Sequence, residues 1–472
     1  MGAFPVGGKM ATIKKSVHLK RKGAVLIVAM IFVLIFSALA VSMAAMSGTN
    51  TQLASNQHKV GCALGSATSG FEVERHWLKT VAMPSSTPIN KYFSTIMNTL
   101  ESNMDANSIT NIILKKNLGT ISPVTLDSST GQTFSGLMRI SDANSCVLEV
   151  FSTGGGAQIT RTIKVEFDIE PYEHPIFNYG LATKGPLNYT GNPTTTGLTE
   201  SWEADIYIDS SGSDTAVSVG GNTNFHGDIM IGNPDADATF GGDILIDGDQ
   251  GQTAIDNHVF IGVEPVDFPE PDTTLFGPYA TGIMIDSSTD LSAAGMNILV
   301  NAKIAAGTNP VFLKGVTIQG ILLIESPNIV TFESNVDLQG IIVGEGDVTV
   351  DPATDRIDFM GNFSSGPYPP GAEFDEIRSL VGSSIVAPGF AASFQGNFST
   401  LEGVVAVTGV HFSGNVAAQI KGTLINYSDL PMVIEGNASM TFDRVASTKI
   451  PAGFDTLRVL TYNPSSYDEF AQ

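Results

Sequence analysis

The sequence is poor in cysteine, tryptophan and charge. Of 472 residues two are Cys and two are Trp, and charged residues make up 15%. Two cysteines, Cys62 and Cys146, are too few for a disulfide framework or a zinc site. Lys and Arg total 24 against 47 Asp and Glu, a net charge of −23. The first 22 residues hold six of those cations and no acid, which leaves −29 for the remainder. A body this acidic, with no basic stripe, repels phosphate backbones, and no nucleic-acid partner is expected. Low charge combined with 49 Gly is poor material for long solvated helices, which disfavours a mainly helical cytosolic protein. No GxSxG, phosphate-binding loop or dinucleotide fingerprint occurs. The seven histidines show no ligand spacing and read as ordinary surface or rung residues.

The strongest feature present is Ala24–Met46, 23 residues without charge and with only Ser37 and Ser42 as polar interruptions. As a helix it would be about 35 Å long, enough to cross a ~30 Å hydrocarbon layer. Ala24, Val28, Leu34 and Met46 mark its course. Lys20, Arg21 and Lys22 abut its start and the far side is neutral, so positive-inside asymmetry puts the N-terminus in the cytoplasm and the body outside. A cleaved signal peptide is the alternative, but its apolar core is usually only ~7 to 15 residues long. A permanent anchor is therefore expected. Thr49–Lys79 contains no proline, and Leu53, Val60, Leu64, Phe71 and Leu78 approximate a helical stripe. One helix over about Ala24–Lys79 is predicted.

From Ala82 to Glu170 the pattern becomes mixed. A short helix is expected over Tyr92–Met104, then strands at Leu137–Ile140, Val147–Phe151 and Thr162–Ile169, the last two as a hairpin tipped by glycines. A Cys62–Cys146 bridge would pin this sheet to the helix; two buried free thiols are the alternative.

From Phe177 onward short apolar strands alternate with Gly and Asn. A recurrent unit of Gly followed by a β-rich run appears in HGDIMIGN, GGDILIDG, QGILLIE, QGIIVGEG, EGVVAVTG and KGTLINY, with offsets between neighbours of 15, 20 and 19 residues. Gly-Asn recurs at 191, 221, 361, 396, 414 and 436. Both residues accept the positive φ that rung corners need. The pattern predicts a parallel β-helix of roughly ten rungs over Gly185–Arg444, about 50 Å long at ~4.8 Å per rung. A β-sandwich is the alternative. Asp267–Tyr279, with three prolines, is expected as a loop projecting from the stack.

Acidic residues of the body are the candidates for catalysis and for metal binding. Asp243, Asp247 and Asp249 share a strand parity suited to a carboxylate pair, but no nearby cation accompanies them in sequence. Asp235, Asp237 and Asp243 are the calcium candidates, although they follow no EF-hand or nonapeptide repeat. Solvated turns are the simpler reading of both sets. The chain is expected not to be an enzyme and to need no cofactor, calcium aside.

Arg21-Lys22-Gly23-Ala24-Val25-Leu26-Ile27-Val28 resembles the leader junction of the PilX-type minor pilins, and Ala67 and Gly70 match the later part of that family's helix. Thr68 departs from the family's usual Glu. HPIFNYGLATKG, DFPEPDTTLFGPYA and EGNASMTFDR are similar to segments of PilX-like proteins with a C-terminal β-helix. The resemblance implies cleavage between Gly23 and Ala24 by a prepilin peptidase, with methylation of Ala24. It implies as partners that peptidase, other pilins, the inner-membrane assembly platform and membrane lipid, with a surface glycan or other cell-surface ligand for the body. It also implies a bacterial inner-membrane protein with a cytoplasmic N-terminus and a periplasmic or extracellular body, on a pilus or the cell surface after assembly. Major pilins carry Glu at the fifth mature position, where this chain has Val28, so a priming or tip role is implied rather than routine incorporation along a shaft.

The expected fold is mainly β: a leader over 1–23, a pilin-like transmembrane and docking helix over 24–80, a small α+β segment over 81–175, a parallel β-helix over 176–450 and a tail over 451–472. Two other functions remain open, a membrane-anchored carbohydrate-binding or carbohydrate-active β-helix and a secretion pseudopilin.

Overall fold

The computed structural model describes residues 22–471, apart from 157–158, 212–214, 347, 349–352, 397–398, 415–416, 446 and 448–449. The chain is mainly β with one long N-terminal helix, and it divides into two compact units. One is drawn from residues 1–80, 97–168 and 462–472, the other from 81–96 and 169–461.

In the first unit a single helix runs Lys22–Leu78, 57 residues and about 85 Å at 1.5 Å per residue. Every residue from Ala24 to His58 is exposed. Beyond that the helix lies on an antiparallel sheet of Thr120–Asp127, Gln132–Ile140, Val147–Gly156 and Ile159–Pro171. The face it buries is Ala63, Ser66, Ala67, Gly70, Phe71, Glu74 and Leu78. Leu53 is instead exposed and Val60 and Leu64 are only half-buried. The reason is the closeness of approach. A Cβ on Gly154 would strike the backbone of Ala63, Ser66 and Ala67, so small residues face the sheet at that point, and the large ones expected there, Phe71 and Leu78, are buried further along. The same contact explains why Gly154–Gly156 continue the strand instead of forming the hairpin tip, which lies outside the described residues. The segment expected as a C-terminal tail contains a strand, Leu457–Ala471, and its part from Tyr462 onward joins this sheet, where Ser466 Oγ accepts the Glu166 N–H at 2.8 Å. Val459, Leu460 and Tyr462 supply the β propensity for it.

The second unit is built on three sheets of largely parallel strands through which the chain passes in turn. Starting with Leu181–Thr183 in the first sheet, it continues through Leu187–Gly191 in the second and Thr194–Gly197 in the third, then returns to the first at Ile206–Ile208. Successive passes lie in register: Gly320 opposes Gly340 twenty residues on, and Val405 opposes Leu424 nineteen on. The fifteen-residue offset is different. Ile229–Ile231 lies in the first sheet and Ile244–Ile246 in the third, so that repeat moves between sheets within one pass.

The order of passes is not the order of sequence. The first sheet runs Val259–Ile261, Ile229–Ile231, Ile206–Ile208, Leu181–Thr183, Leu424–Asn426 and onward to Met284–Ile285. The chain thus enters in the middle, builds outward to Ile261, crosses to the far edge and builds back until Leu424–Asn426 closes on Leu181–Thr183. Residues 262–283 make the crossing. That path has ten inter-strand steps of ~4.8 Å, about 48 Å, which 22 extended residues can span. This segment does not project as expected. Tyr207 Oη accepts the Val266 N–H at 3.0 Å, Asp272 N–H donates to Gly453 O at 2.8 Å, and Phe276 is buried among Ile321, Leu323, Ile341 and Val343. The outer face of the first sheet is therefore covered, its strands are apolar at consecutive positions, and a run such as Val404–Val407 is buried throughout.

Within the second sheet the inward side chains stack. Phe312, Phe332, Phe359, Phe394 and Phe412 form a ladder with ring centroids 4.8 to 5.4 Å apart, continued by Ile434, Tyr189, Val219 and Phe240. Val433 faces the other way. At the corners of the Gly-Asn motifs each rung presses on the next: a Cβ on Gly191, itself at φ 99°, would collide with Gly436 O. Of these motifs, Asn397 and Asn415 lie outside the described residues.

Where first and last passes meet, Asn426 is fully buried. Its Nδ2 donates to Thr183 Oγ1 at 2.9 Å and its Oδ1 accepts the Gly409 N–H at 2.7 Å. The Ser428 N–H also donates to Asn426 Oδ1, so Asn426→Leu takes the acceptor from the Gly409 and Ser428 N–H groups, while Thr183 Oγ1 keeps its bond to Gly185 O; each buried group left unpaired costs about 1 to 3 kcal/mol. Chemical denaturation of the variant should show a loss of about 2 to 4 kcal/mol; an unchanged midpoint would show that the closure is not held there.

Candidate functional sites

The apolar helix is the first candidate. Val28, Leu34 and Met46 are 50%, 67% and 68% exposed, and no described residue packs over Ala24–Met46. An uncovered stretch this apolar needs lipid or other helices around it. Just past it, Thr49 Oγ1 and Thr51 Oγ1 donate to Ala45 O and Ser47 O one turn back, so these hydroxyls are satisfied within the helix where polar residues begin. Of the leader cluster, Lys20 and Arg21 lie outside the described residues, while Lys22 and Gly23 open the helix.

The second candidate is Glu74, where the helix meets the sheet. It is fully buried, and neither of its carboxyl oxygens nor the Ser152 hydroxyl has a hydrogen-bond partner. Gly136 faces it with no room for a Cβ. Burial pushes its carboxyl well above the usual range, offset in part by the nearby Ser152, and this net rise favours the neutral acid. Beside it, the Arg75 guanidinium lies 5.2 Å over the Tyr462 ring. Cys62 and Cys146 carry free thiols; Cys62 Sγ sits 3.7 Å from His58 Nε2 on the same helix.

The third candidate is a group of acids and histidines at the end of the stack formed by residues 205–261. His258 Nδ1 is 2.8 Å from Asp228 Oδ1, its Nε2 is 3.5 Å from Asp249 Oδ2, and His226 Nδ1 is 3.8 Å from Asp247 Oδ1. Two of the three candidate carboxylates thus do have cationic companions when the imidazoles are protonated. Sequence reading missed these pairs because their partners lie 30, 9 and 21 residues apart and meet only through stacking and the turn. One signal was available: between Lys184 and Lys303 no Lys or Arg occurs, against 18 Asp and Glu. Asp205 is part of this end. Burial raises its carboxyl to about 6, the charges of Asp228 and Asp247 add to that, and the Asp228 N–H and Arg444 oppose it. Glu203, two residues earlier, has the opposite fate. Burial pushes it up, but the N–H groups of Glu200, Thr199, Arg444 and Val445 outweigh burial and hold it below the usual range.

Asp243 stands apart, on an open depression of about 700 Å³ whose polar lining is otherwise Asn192, Asn222, Asn224, Gln250 and Thr side chains. Its N–H donates to Asn222 Oδ1, and the Asp235 N–H donates to Asn233 Oδ1. Asp237 begins a strand. Among the described residues no group of three or more His, Cys, Asp or Glu is arranged to hold a metal ion.

Geometry therefore defines a membrane-type helix carrying a small antiparallel sheet, with a second, larger β unit. Residues 22–72 match the PilX N-terminal family, so the chain carries a PilX-type pilin N-terminus. No curated protein matches the chain. Among solved structures, the competence-associated pilin ComZ from Thermus thermophilus overlaps at 11% identity, covering 87% of this chain and 97% of that one, with a TM-score of 0.26. An ice binding protein from an Antarctic biological consortium overlaps at 13% identity over 58% of this chain and 91% of its own, TM-score 0.20. The ice-binding protein LeIBP from an Arctic yeast does so at 11% over 59% and 96%, TM-score 0.17. TM-scores this low establish no shared fold.

Glu74 yields a pH prediction with a definite sign. Its folded pKa is raised above the unfolded value of about 4.3, so its contribution to stability is complete below that value and is lost as pH rises through the folded pKa. Glu74→Gln removes this loss. In thermal unfolding of the full chain in detergent, the variant should gain on the native protein progressively from pH 5 to pH 8. An equal difference at both pH values would show that the folded Glu74 carboxyl is already ionised at pH 5 and is not raised by its burial.

Proposed function

We propose that this chain is a non-enzymatic, pilin-like subunit of a type IV pilus or related filament, held in a membrane by Ala24–Met46. The observation that carries the reading is the PilX-type segment over 22–72 lying on a helix whose apolar part is wholly uncovered. In this reading residues 1–23 are a leader cut by prepilin peptidase after Gly23, and the new N-terminus at Ala24 is methylated. The N-terminus starts on the cytoplasmic side of a bacterial inner membrane, and the body lies on the other. The helix then docks among the helices of other pilins on the assembly platform. Val28 at the fifth mature position offers no carboxylate to a neighbour's ammonium, which favours a priming or tip position over a shaft position.

The three parallel sheets are read as a parallel β-helix, displayed as a spacer, adhesive or aggregation module. The in-register passes at nineteen and twenty residues support that architecture, and the apolar crossing segment supports its persistence as one body.

The test is the N-terminus itself. Mass spectrometry of the membrane-fraction protein should find a methylated Ala24, replaced by the uncut leader in cells without prepilin peptidase. An uncut leader in both would contradict the pilin reading.

A further inference from the structure

The first parallel sheet ends at Val259–Ile261, and among the described residues no strand pairs with its outer edge. Gly262 N–H donates to Ile231 O. Alternation along a strand therefore turns Phe260 inward to the sheet and points the Ile261 N–H, with the carbonyls of Val259 and Ile261, to the open side. The Val259 N–H is taken by Ile255 O at the end of the short helix Gln252–His258.

Neighbouring parts of this end are closed. The short helix buries Ala254, and in the third sheet Asp249–Gln250 folds back antiparallel over Ile244–Ile246. The first-sheet edge has no such cover. The edge strand is short, three residues, but 255–263 read IDNHVFIGV with no Lys and no Pro to guard it against strand addition. Phe260 and Ile261 are 41% and 47% exposed there. Around the edge stand Asp228, Asp249, Asp256 and Glu264, in a stretch from 185 to 302 that contains no Lys or Arg.

We propose that the Val259–Ile261 edge takes up an extended, basic polypeptide segment of a partner protein as an added strand. Backbone groups of Val259 and Ile261 would pair with the segment, its apolar side chains would cover Phe260 and Ile261, and its cations would meet the acidic surround. A second copy of this chain fits less well. Pairing this edge with itself would bring Asp228, Asp249, Asp256 and Glu264 of two copies together, and the far edge, Met284–Ile285, stands beside Asp286 and Asp290 with Lys303 of the next strand already bound to Glu325 at 2.6 Å. The proposal stands whether or not the pilin reading holds.

The full chain in detergent micelles would be titrated, by fluorescence anisotropy, with a labelled peptide of alternating Lys and Val. Saturable one-to-one binding is expected, weakened about tenfold or more by Ile261→Pro, which removes the outward N–H at an edge where proline is tolerated. Ile261→Lys, which keeps the N–H but repels the ligand, should weaken binding similarly, and Asp256→Asn with Glu264→Gln should weaken it a few-fold. Equal binding of the same peptide interrupted by proline would overturn the proposal in favour of diffuse charge attraction. So would equal binding of a Glu-Val peptide, undiminished binding by both Ile261 variants, or peptide-independent dimers abolished by Ile261→Lys, the last making a second copy the occupant.

Discussion

In a stack of parallel strands, each pass leaves a row of N–H and C=O groups that only the next pass can satisfy. The larger unit depends on how that requirement is met at Leu181–Thr183. This strand has partners on both sides, Ile206–Ile208 soon after it and Leu424–Asn426 more than 240 residues later. Until the late strand arrives, the early passes have an open edge in the middle of what becomes a continuous sheet. The crossing segment 262–283 is the device that makes this order possible, and its Val263, Val266, Phe268 and Phe276 help to bury the outer face of the first sheet, together with Ile176, Phe374, Ile377 and Phe454.

Two buried glutamates show how differently the two units treat charge. Glu203 is ionised because the chain wraps four N–H groups around it, two of them from Arg444 and Val445, which follow the last pass through the third sheet. That carboxylate fastens the first complete pass to the last. Glu74 receives no such donors, since the sheet offers it a glycine and an unpaired hydroxyl.

Much of this was legible in sequence. The long helix, the antiparallel hairpin and the nineteen- and twenty-residue passes follow from local pattern, because period, glycine placement and apolar run length are local properties. Helix packing was legible in part: Phe71 and Leu78 are buried as expected, and the rest of the stripe differs for a physical reason. Leu53, Val60 and Leu64 satisfied a search for large apolar residues, whereas the contact required Ala63, Ala67 and Gly70. Strand parity likewise says which side chains face inward but never which strand is the neighbour, so entry in the middle of the stack could not be read. The acid–histidine pairs were hidden for the same reason. The long stretch without Lys or Arg was visible, but it runs through both edges of the first sheet, and its meaning depends on knowing which edges are open.

The central claim is that the first pass and the last are neighbours, and one measurement tests it most directly. Thr196 and Thr441 oppose each other in the third sheet with their Oγ1 atoms 3.3 Å apart, a placement suited to a disulfide between Cβ atoms about 3.5 to 4.5 Å apart. With Cys62 and Cys146 replaced by Ser, the double variant T196C and T441C should form an intramolecular bridge on mild oxidation, identified by mass spectrometry of the linked peptides. Absence of that bridge in the folded protein, or bridges only between separate chains, would contradict the closure and the order of passes built on it.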